Sequence, residues 1–251
     1  MRTSHAIAQQ GAYVFEGIEV CLPVIVRKAR AAAATFVVPA RAAHALLPNG
    51  DLEIIEFAPG RTLFTLGGID YIDNDLGDYN EVSMALYVRP RGAPRGIPYL
   101  GAWSDFLAGR ASTYIHRLPV DQGFTCAAGR GIWGFPKSVE RIGFEIDGER
   151  AQCRLEMDGR HVLTLEAPRH GSRTLRDTAM TTYSYIDGVL HGTAFRSGAD
   201  GVGFSRGGAQ LTLGDHPIAN ELRTLGLPKP ALLTVWMEHM RGRFEAPQPV
   251  S

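Results

Sequence analysis

The sequence predicts a β-rich α+β fold in a single domain over 1–251. Short apolar, β-branched runs bounded by Gly, Pro and Asn recur along most of the chain. Asp-Gly pairs at 147–148 and 158–159 sit between such runs as hairpin turns. Helical patterning is confined to a few short stretches. At 251 residues the chain is long enough to bury a substantial core without disulfides.

Residues 12–20 and 21–26 have strand character, interrupted by Leu22-Pro23. The alanine- and arginine-rich stretch 27–34 stays open: helix propensity favours one reading, while Thr35-Phe36-Val37-Val38 pulls toward an extended one. A helix is expected over 39–47, with Pro39 in its first turn and Pro48 as its stop, followed by a turn at Asn49-Gly50. Strands over 52–57 and 61–69 flank Pro59-Gly60, and another is expected over 82–88. Residues 89–109 are Pro- and Gly-rich, with Trp103 and Phe106 embedded, and match neither a strand nor a long helix. Such a segment suits a lid or an oligomer contact.

A helix starting within 118–121 and ending at Gly129 is expected to deliver the segment that follows it. Strands are expected over 142–146, 151–157, 162–166, 178–186, 190–195 and 210–213. Asp215 then caps a helix with Pro217 in its first turn, an apolar face of Ile218, Leu222 and Leu225, and Gly226 and Pro228 at its end. An apolar strand over 232–240 leads on to Phe244.

The 26 basic and 26 acidic residues cancel, and no basic run suggests a nucleic-acid footprint. Cys21, Cys126 and Cys153 are widely spaced, without a CxxC or histidines at metal-ligand spacing, and read as buried thiols in a reducing compartment. The first ten residues lack the apolar run of a signal peptide, and no window approaches the ~20 apolar residues of a membrane span. These observations lead to the expectation of a cytoplasmic protein with neither a membrane nor a nucleic-acid partner. The carboxylates over 70–81 do not make a calcium loop, because glycine comes fifth rather than sixth from Asp73. Gly203-Phe204-Ser205-Arg206-Gly207 fits the G-x-S-x-G pattern of a hydrolase elbow, but loop before it and strand after it are the wrong context.

Lysine occurs only at Lys28, Lys137 and Lys229, with arginine supplying the other basic side chains. An arginine cannot give up its proton in a protein, whereas a lysine held among apolar groups can have its pKa lowered far enough to act as a nucleophile. Lys137 sits beside Trp133, Phe135 and Pro136. The structural alternative is a strand-end lysine whose stem lies along an aromatic ring while its ammonium reaches water.

The run Ala-Gly-Arg-Gly-Ile-Trp-Gly-Phe-Pro-Lys ending at Lys137 resembles the segment of acetoacetate decarboxylases that presents the Schiff-base lysine. Gly129, Arg130, Pro136 and Lys137 fall at matching spacing, while Gly131 stands in place of the family's glutamate and Ser138 in place of its second lysine. Tyr79-Asn80-Glu81 resembles the family's Tyr-x-Glu entry to a strand, and Tyr114-Ile115-His116 its Tyr-x-His. The stretch from Leu213 to Leu222, followed by Leu227-Pro228 and a closing strand, resembles the family's end.

The resemblance implies a barrel-like, mostly antiparallel sheet enclosing the lysine, a few flanking helices, a homo-oligomer, and no cofactor or metal. It also implies a lyase that decarboxylates acetoacetate or a related small β-keto acid through a lysine imine and an enamine. Lys137 and Glu81 are then the expected catalytic residues, with Arg27, Tyr79, His116 and Phe135 as the expected substrate-binding set. The family's carboxylate-holding arginine falls, counted without gaps, on Ala29; Arg27 on the same strand face and Arg30 next door are the candidates to replace it. Relatives lacking parts of this set are similar to aldolase-dehydratases acting on pyruvate-like or aldehyde substrates. A non-catalytic barrel binding an apolar small molecule is the third reading, and a high Lys137 pKa is its mark.

Overall fold

The computed structural model describes residues 12–48, 50–94 and 96–250. Residues 1–10, on which the signal-peptide expectation rested, and Asn49 of the expected turn lie outside them. The chain runs through a hairpin of β1 (Ala12–Phe15) and β2 (Ile18–Cys21), then β3 (Val24–Pro39), α1 (Ala40–His44), β4 (Leu52–Ile54), β5 (Arg61–Asn74) and β6 (Tyr79–Pro90). The middle holds α2 (Leu100–Leu107), β7 (Thr113–Val120), α3 (Gly123–Trp133), β8 (Lys137–Val139), β9 (Arg141–Asp147), β10 (Arg150–Met157) and β11 (Arg160–Pro168). It finishes with β12 (Arg173–Ile186), β13 (Val189–Ser205), β14 (Gln210–Leu213), α4 (Pro217–Thr224), β15 (Leu233–Phe244) and β16 (Gln248–Pro249).

The strands β6-β5-β3-β15-β13-β12-β7 form a sheet that closes on itself through a second pairing of β7 with β6. Neighbours in this seven-stranded barrel are antiparallel except β12 and β7. Closure removes the free edges that a long open sheet would expose. A second sheet, ordered β14-β11-β10-β9, packs its Leu155, Leu163 and Leu165 against the outer face of the barrel.

Strand β6 shows why its sequence reads as a nearly continuous apolar run. Its outward residues Val82, Met84, Leu86 and Val88 are buried against the second sheet, while Tyr79, Glu81, Ser83, Ala85 and Tyr87 alternate with them toward the barrel interior. Each fully buried aliphatic side chain on the outward face contributes roughly 1.5–3 kcal/mol.

The alanine-rich stretch left open by the sequence is strand. Ala31 and Ala33 line the barrel cavity, and Ala32 and Ala34 lie under the second sheet, so both faces of the strand are used in packing and tertiary context overrides helix propensity. The expected helix over 39–47 shrinks to α1, and the strand over 52–57 to β4. Strand β5 continues past 69, so the acidic stretch becomes a hairpin between β5 and β6. Within 89–109, α2 forms and docks Trp103 and Phe106 edge-on against Phe57, with the Trp103 indole donating to the Phe57 carbonyl at 2.8 Å.

Two helix boundaries shift. Leu118-Pro119-Val120 belongs to β7, and the helix expected to end at Gly129 starts at Gly123 and runs on to Trp133. The cap of α4 is His216 rather than Asp215, because the His216 ring Nδ1 accepts from the Ile218 amide at 3.2 Å. Strand, not loop, precedes Ser205, and β14 rather than a helix follows it. Among the described residues no helix is long and apolar enough to cross a membrane, and no group of three or more His, Cys, Asp and Glu is placed to hold a metal ion.

Candidate active site

Lys137 opens β8, which pairs in parallel with β7 so that Lys137 lies opposite Leu118. What precedes it is pinned. Helix α3 ends on Gly134, whose left-handed φ of 63° lets its amide reach back to the Arg130 carbonyl, while Phe135 N–H donates to the Gly129 carbonyl. A side chain at 134 would also collide with the Tyr185 carbonyl. The chain therefore turns sharply and sends the lysine stem back beneath α3.

Helix α3 receives that stem with Thr125 and Gly129, four residues apart on one face. The Lys137 ammonium donates to Thr125 Oγ1 at 3.1 Å. Gly129 leaves the room: a Cβ built there would sit 2.6 Å from Lys137 Cδ. On the other side, Glu81 of β6 lies opposite Val120 of β7, which brings its carboxylate to the same level of the barrel. Lys137 Nζ and Glu81 Oε2 are 3.0 Å apart.

Two tyrosines complete the cluster. Tyr71 of β5 donates its hydroxyl to Glu81 Oε1 at 3.2 Å, and its ring stacks on Tyr79 at 4.4 Å. The Tyr79 ring lies 4.8 Å from Lys137 Nζ, within cation–π range. Lys137 and Glu81 are each only 5% exposed, so this is a desolvated ion pair.

Electrostatics here depart from the expected depression of the lysine pKa. Burial does push the Lys137 pKa down, but the Glu81 carboxylate and the Tyr79 phenol more than offset it, and the net direction is up. The resting amine is an ammonium, as the non-catalytic ligand-binding barrel would have it, so imine formation requires that its proton first leave. Burial and the Glu81 charge hold the Tyr71 phenol well above its ordinary value, and burial raises Tyr79 despite the nearby Lys137. Both phenols stay protonated through the neutral range.

A cavity of about 240 Å³ opens inside the barrel from this cluster. Trp133, Phe135 and Phe244 form part of its wall, with Phe135 stacked on Trp133 and Phe244 tilted against it. The structure thus brings Lys137, Glu81, Tyr79 and Phe135 together around one space.

Arg27 and His116 are placed elsewhere. Arg27 is half exposed and bonded to Asp73 at 2.8 Å and Asp75 at 2.6 Å. Its period-two match to Ala29 fails because the register of β3 against β5 shifts on both sides of Lys28, which turns Arg27 and Lys28 both outward. Arg30 lies between Asp70 and Glu238. No arginine is among the described residues lining the cavity. His116 bonds Glu221 of α4 at 2.8 Å and does not line the cavity either.

Tyr71 and Thr125 are the residues that sequence reasoning missed. Tyr71 lay inside a stretch weighed for its carboxylates, although its two-residue spacing from Ile69 marks one strand face. Thr125 carries a signal only once α3 is known to extend past Gly129.

A closed barrel holding an amine–carboxylate pair inside an apolar cavity defines the kind of protein this is. A model of the acetoacetate decarboxylase family matches residues 10–242, and the chain belongs to that family, whose members are lyases. The fold is similar to that of an acetoacetate decarboxylase from Legionella pneumophila, at 17% identity and TM-score 0.65 over 91% of this chain and 87% of that one. It is also similar to the enduracididine biosynthesis enzyme MppR complexed with pyruvate, at 16% identity and TM-score 0.60 over 91% and 90%. A third likeness is to an acetoacetate decarboxylase-like enzyme from Sphingomonas wittichii RW1, at 14% identity and TM-score 0.57 over the full length of both chains. No curated protein matches the sequence.

Proposed function

We propose that Lys137 is the imine-forming amine of a carbon–carbon lyase that decarboxylates a small β-keto acid. The observation that carries this reading is the 3.0 Å contact between Lys137 Nζ and Glu81 Oε2 inside the barrel. Because the resting lysine is an ammonium, its nucleophile appears when a proton passes across that contact to Glu81. The free amine adds to the substrate ketone, and Glu81 returns the proton to the carbinolamine oxygen, which leaves as water. Ammonium plus ketone thus gives iminium plus water, with Glu81 again a carboxylate.

The iminium nitrogen then accepts the electron pair of the breaking bond as carbon dioxide departs, giving a neutral enamine. A proton taken up from solvent adds at the α-carbon and restores an iminium, and water then releases the ketone and returns the lysine as an ammonium. With no arginine among the described residues lining the cavity, the cationic iminium is the counter-charge for the departing carboxylate. Apolar surroundings favour a step in which that carboxylate becomes uncharged carbon dioxide.

The same absence of a carboxylate-holding arginine supports a second reading, an aldolase-dehydratase in which the enamine adds to an aldehyde and water is lost. One experiment separates the readings. Borohydride treatment with acetoacetate, followed by peptide mass mapping, has three lysines to assign. An isopropyl adduct on Lys137 supports the decarboxylase, and an adduct that keeps its carboxylate supports the aldolase-dehydratase. If neither acetoacetate nor pyruvate leaves an adduct, the lysine reading gives way to the ligand-binding barrel.

A further inference from the structure

The interior of the barrel is layered. Across β3, β5 and β6 the pairing register sets Ala31, Ile69 and Glu81 in one row, Ala33, Gly67 and Ser83 in the next, and Thr35, Thr65 and Ala85 in a third. Successive rows are two residues apart, so each lies about 7 Å beyond the last. On these three strands the row directly beyond Glu81 contains nothing larger than serine, and all three of its residues line the cavity.

At about 240 Å³ the cavity exceeds what acetoacetate needs, since an apolar cavity of roughly 150 Å³ already accepts benzene. The far end carries hydroxyls, but they are satisfied among themselves: Thr35 to Thr65 at 2.8 Å, Thr65 to Tyr87 at 3.0 Å, and Thr113 to Thr182 at 3.3 Å. Lys137 and Glu81 are the charged residues among those lining the cavity. A ligand reaching past Ser83 meets apolar surface and bonded hydroxyls, and among the described residues no cation lines that end to meet a second charge.

Resting on the lysine reading above, we infer that the substrate is a β-keto acid with an uncharged alkyl tail, which runs from the imine carbon over the Ala33–Gly67–Ser83 row toward Thr65. Burying each added methylene is worth about fourfold in affinity for the transition state, so two of them give roughly fifteenfold. A second carboxylate at the end of the tail has no partner there and is rejected.

The test compares carbon dioxide release from acetoacetate, β-ketohexanoate and β-ketoadipate, with borohydride trapping of each in parallel. The expected result is a kcat/KM for β-ketohexanoate roughly fifteenfold above that for acetoacetate, and a β-ketoadipate value at least about tenfold below that for β-ketohexanoate. Ala33→Leu and, separately, Ser83→Val should each bring the hexanoate-to-acetoacetate ratio to one or below. A wild-type ratio of one or less, with Lys137 still trapped by each ketone, overturns the tail inference and leaves the lysine reading intact. So does a ratio that neither variant moves. Absence of an adduct with any of the three overturns the lysine reading itself.

Discussion

Gly129 and Lys137 compete for one volume: a methyl on Gly129 would lie 2.6 Å from Cδ and 2.7 Å from Cε of the lysine. The backbone could keep its place only if the lysine stem moved. In Gly129→Ala, alanine suits a helix interior better than glycine by roughly 0.5–1 kcal/mol, but overpacking a buried site costs about 1–3 kcal/mol, so the urea midpoint should fall modestly while the chemistry falls far more. The displaced amine should lose about a hundredfold in the rate of imine trapping, since a shift near 1 Å at a reacting atom has that effect. Normal trapping in this variant would mean the stem has another path.

Glu81→Gln tests what sets the charge of the amine. Glu81 is the largest of the influences raising the Lys137 pKa, and burial works against it. Without the carboxylate, burial should prevail and the pKa should fall. An amine is nucleophilic above its pKa, so the pH midpoint of imine trapping should move to lower pH. Turnover should still fall about a hundredfold or more, because the group that carries the proton to the carbinolamine oxygen is gone. A trapping midpoint that stays put would show that Glu81 does not govern the lysine.

Tyr71→Phe removes the hydroxyl that bonds Glu81 Oε1 at 3.2 Å and keeps the ring that stacks on Tyr79. Tyr71 acts through Glu81, so the expected effect is on kcat rather than KM. A hydrogen bond to a charged group is worth about 1.5–3 kcal/mol, which corresponds to roughly a tenfold or greater loss. A change confined to KM would assign Tyr71 to substrate contact instead.

What the sequence made legible was local. The turns at Asp147-Gly148 and Asp158-Gly159 carry their own backbone chemistry, and the hairpins β9–β10 and β10–β11 form there. The alanines of β3 were ambiguous because their role is set by two packed faces, neither visible in the strand itself. Pro119 looked like a helix start, yet it lies in β7, where it is paired with Ser138 of the short strand β8. Lys137 and Glu81 stood out through motif resemblance and the scarcity of lysine. Tyr71 and Thr125 gain meaning only when the barrel closes and α3 extends. The irregular register around Lys28, invisible to a period-two count, moved Arg27 to the outside.

Away from the cavity, Glu221 ties α4 to β7. It receives Arg117 through two nitrogens, at 3.0 and 2.9 Å, and His116 at 2.8 Å. Burial alone would raise its pKa, but His116 and Arg117 hold it down to about 2. A carboxyl depressed in the folded state contributes stability above its unfolded value, about 4.3, and loses it as pH falls toward 2. Partial exposure of the pair discounts the full linkage, leaving about 2 kcal/mol. Urea unfolding at pH 7 and pH 3 should show wild type losing more stability than Glu221→Gln between the two pH values, because the variant has no proton to take up. The variant should already be weaker at pH 7, with Arg117 and His116 left without their shared acceptor. Equal acid sensitivity in the two proteins would show that other carboxylates carry the acid response and that the α4–β7 tie contributes little to it.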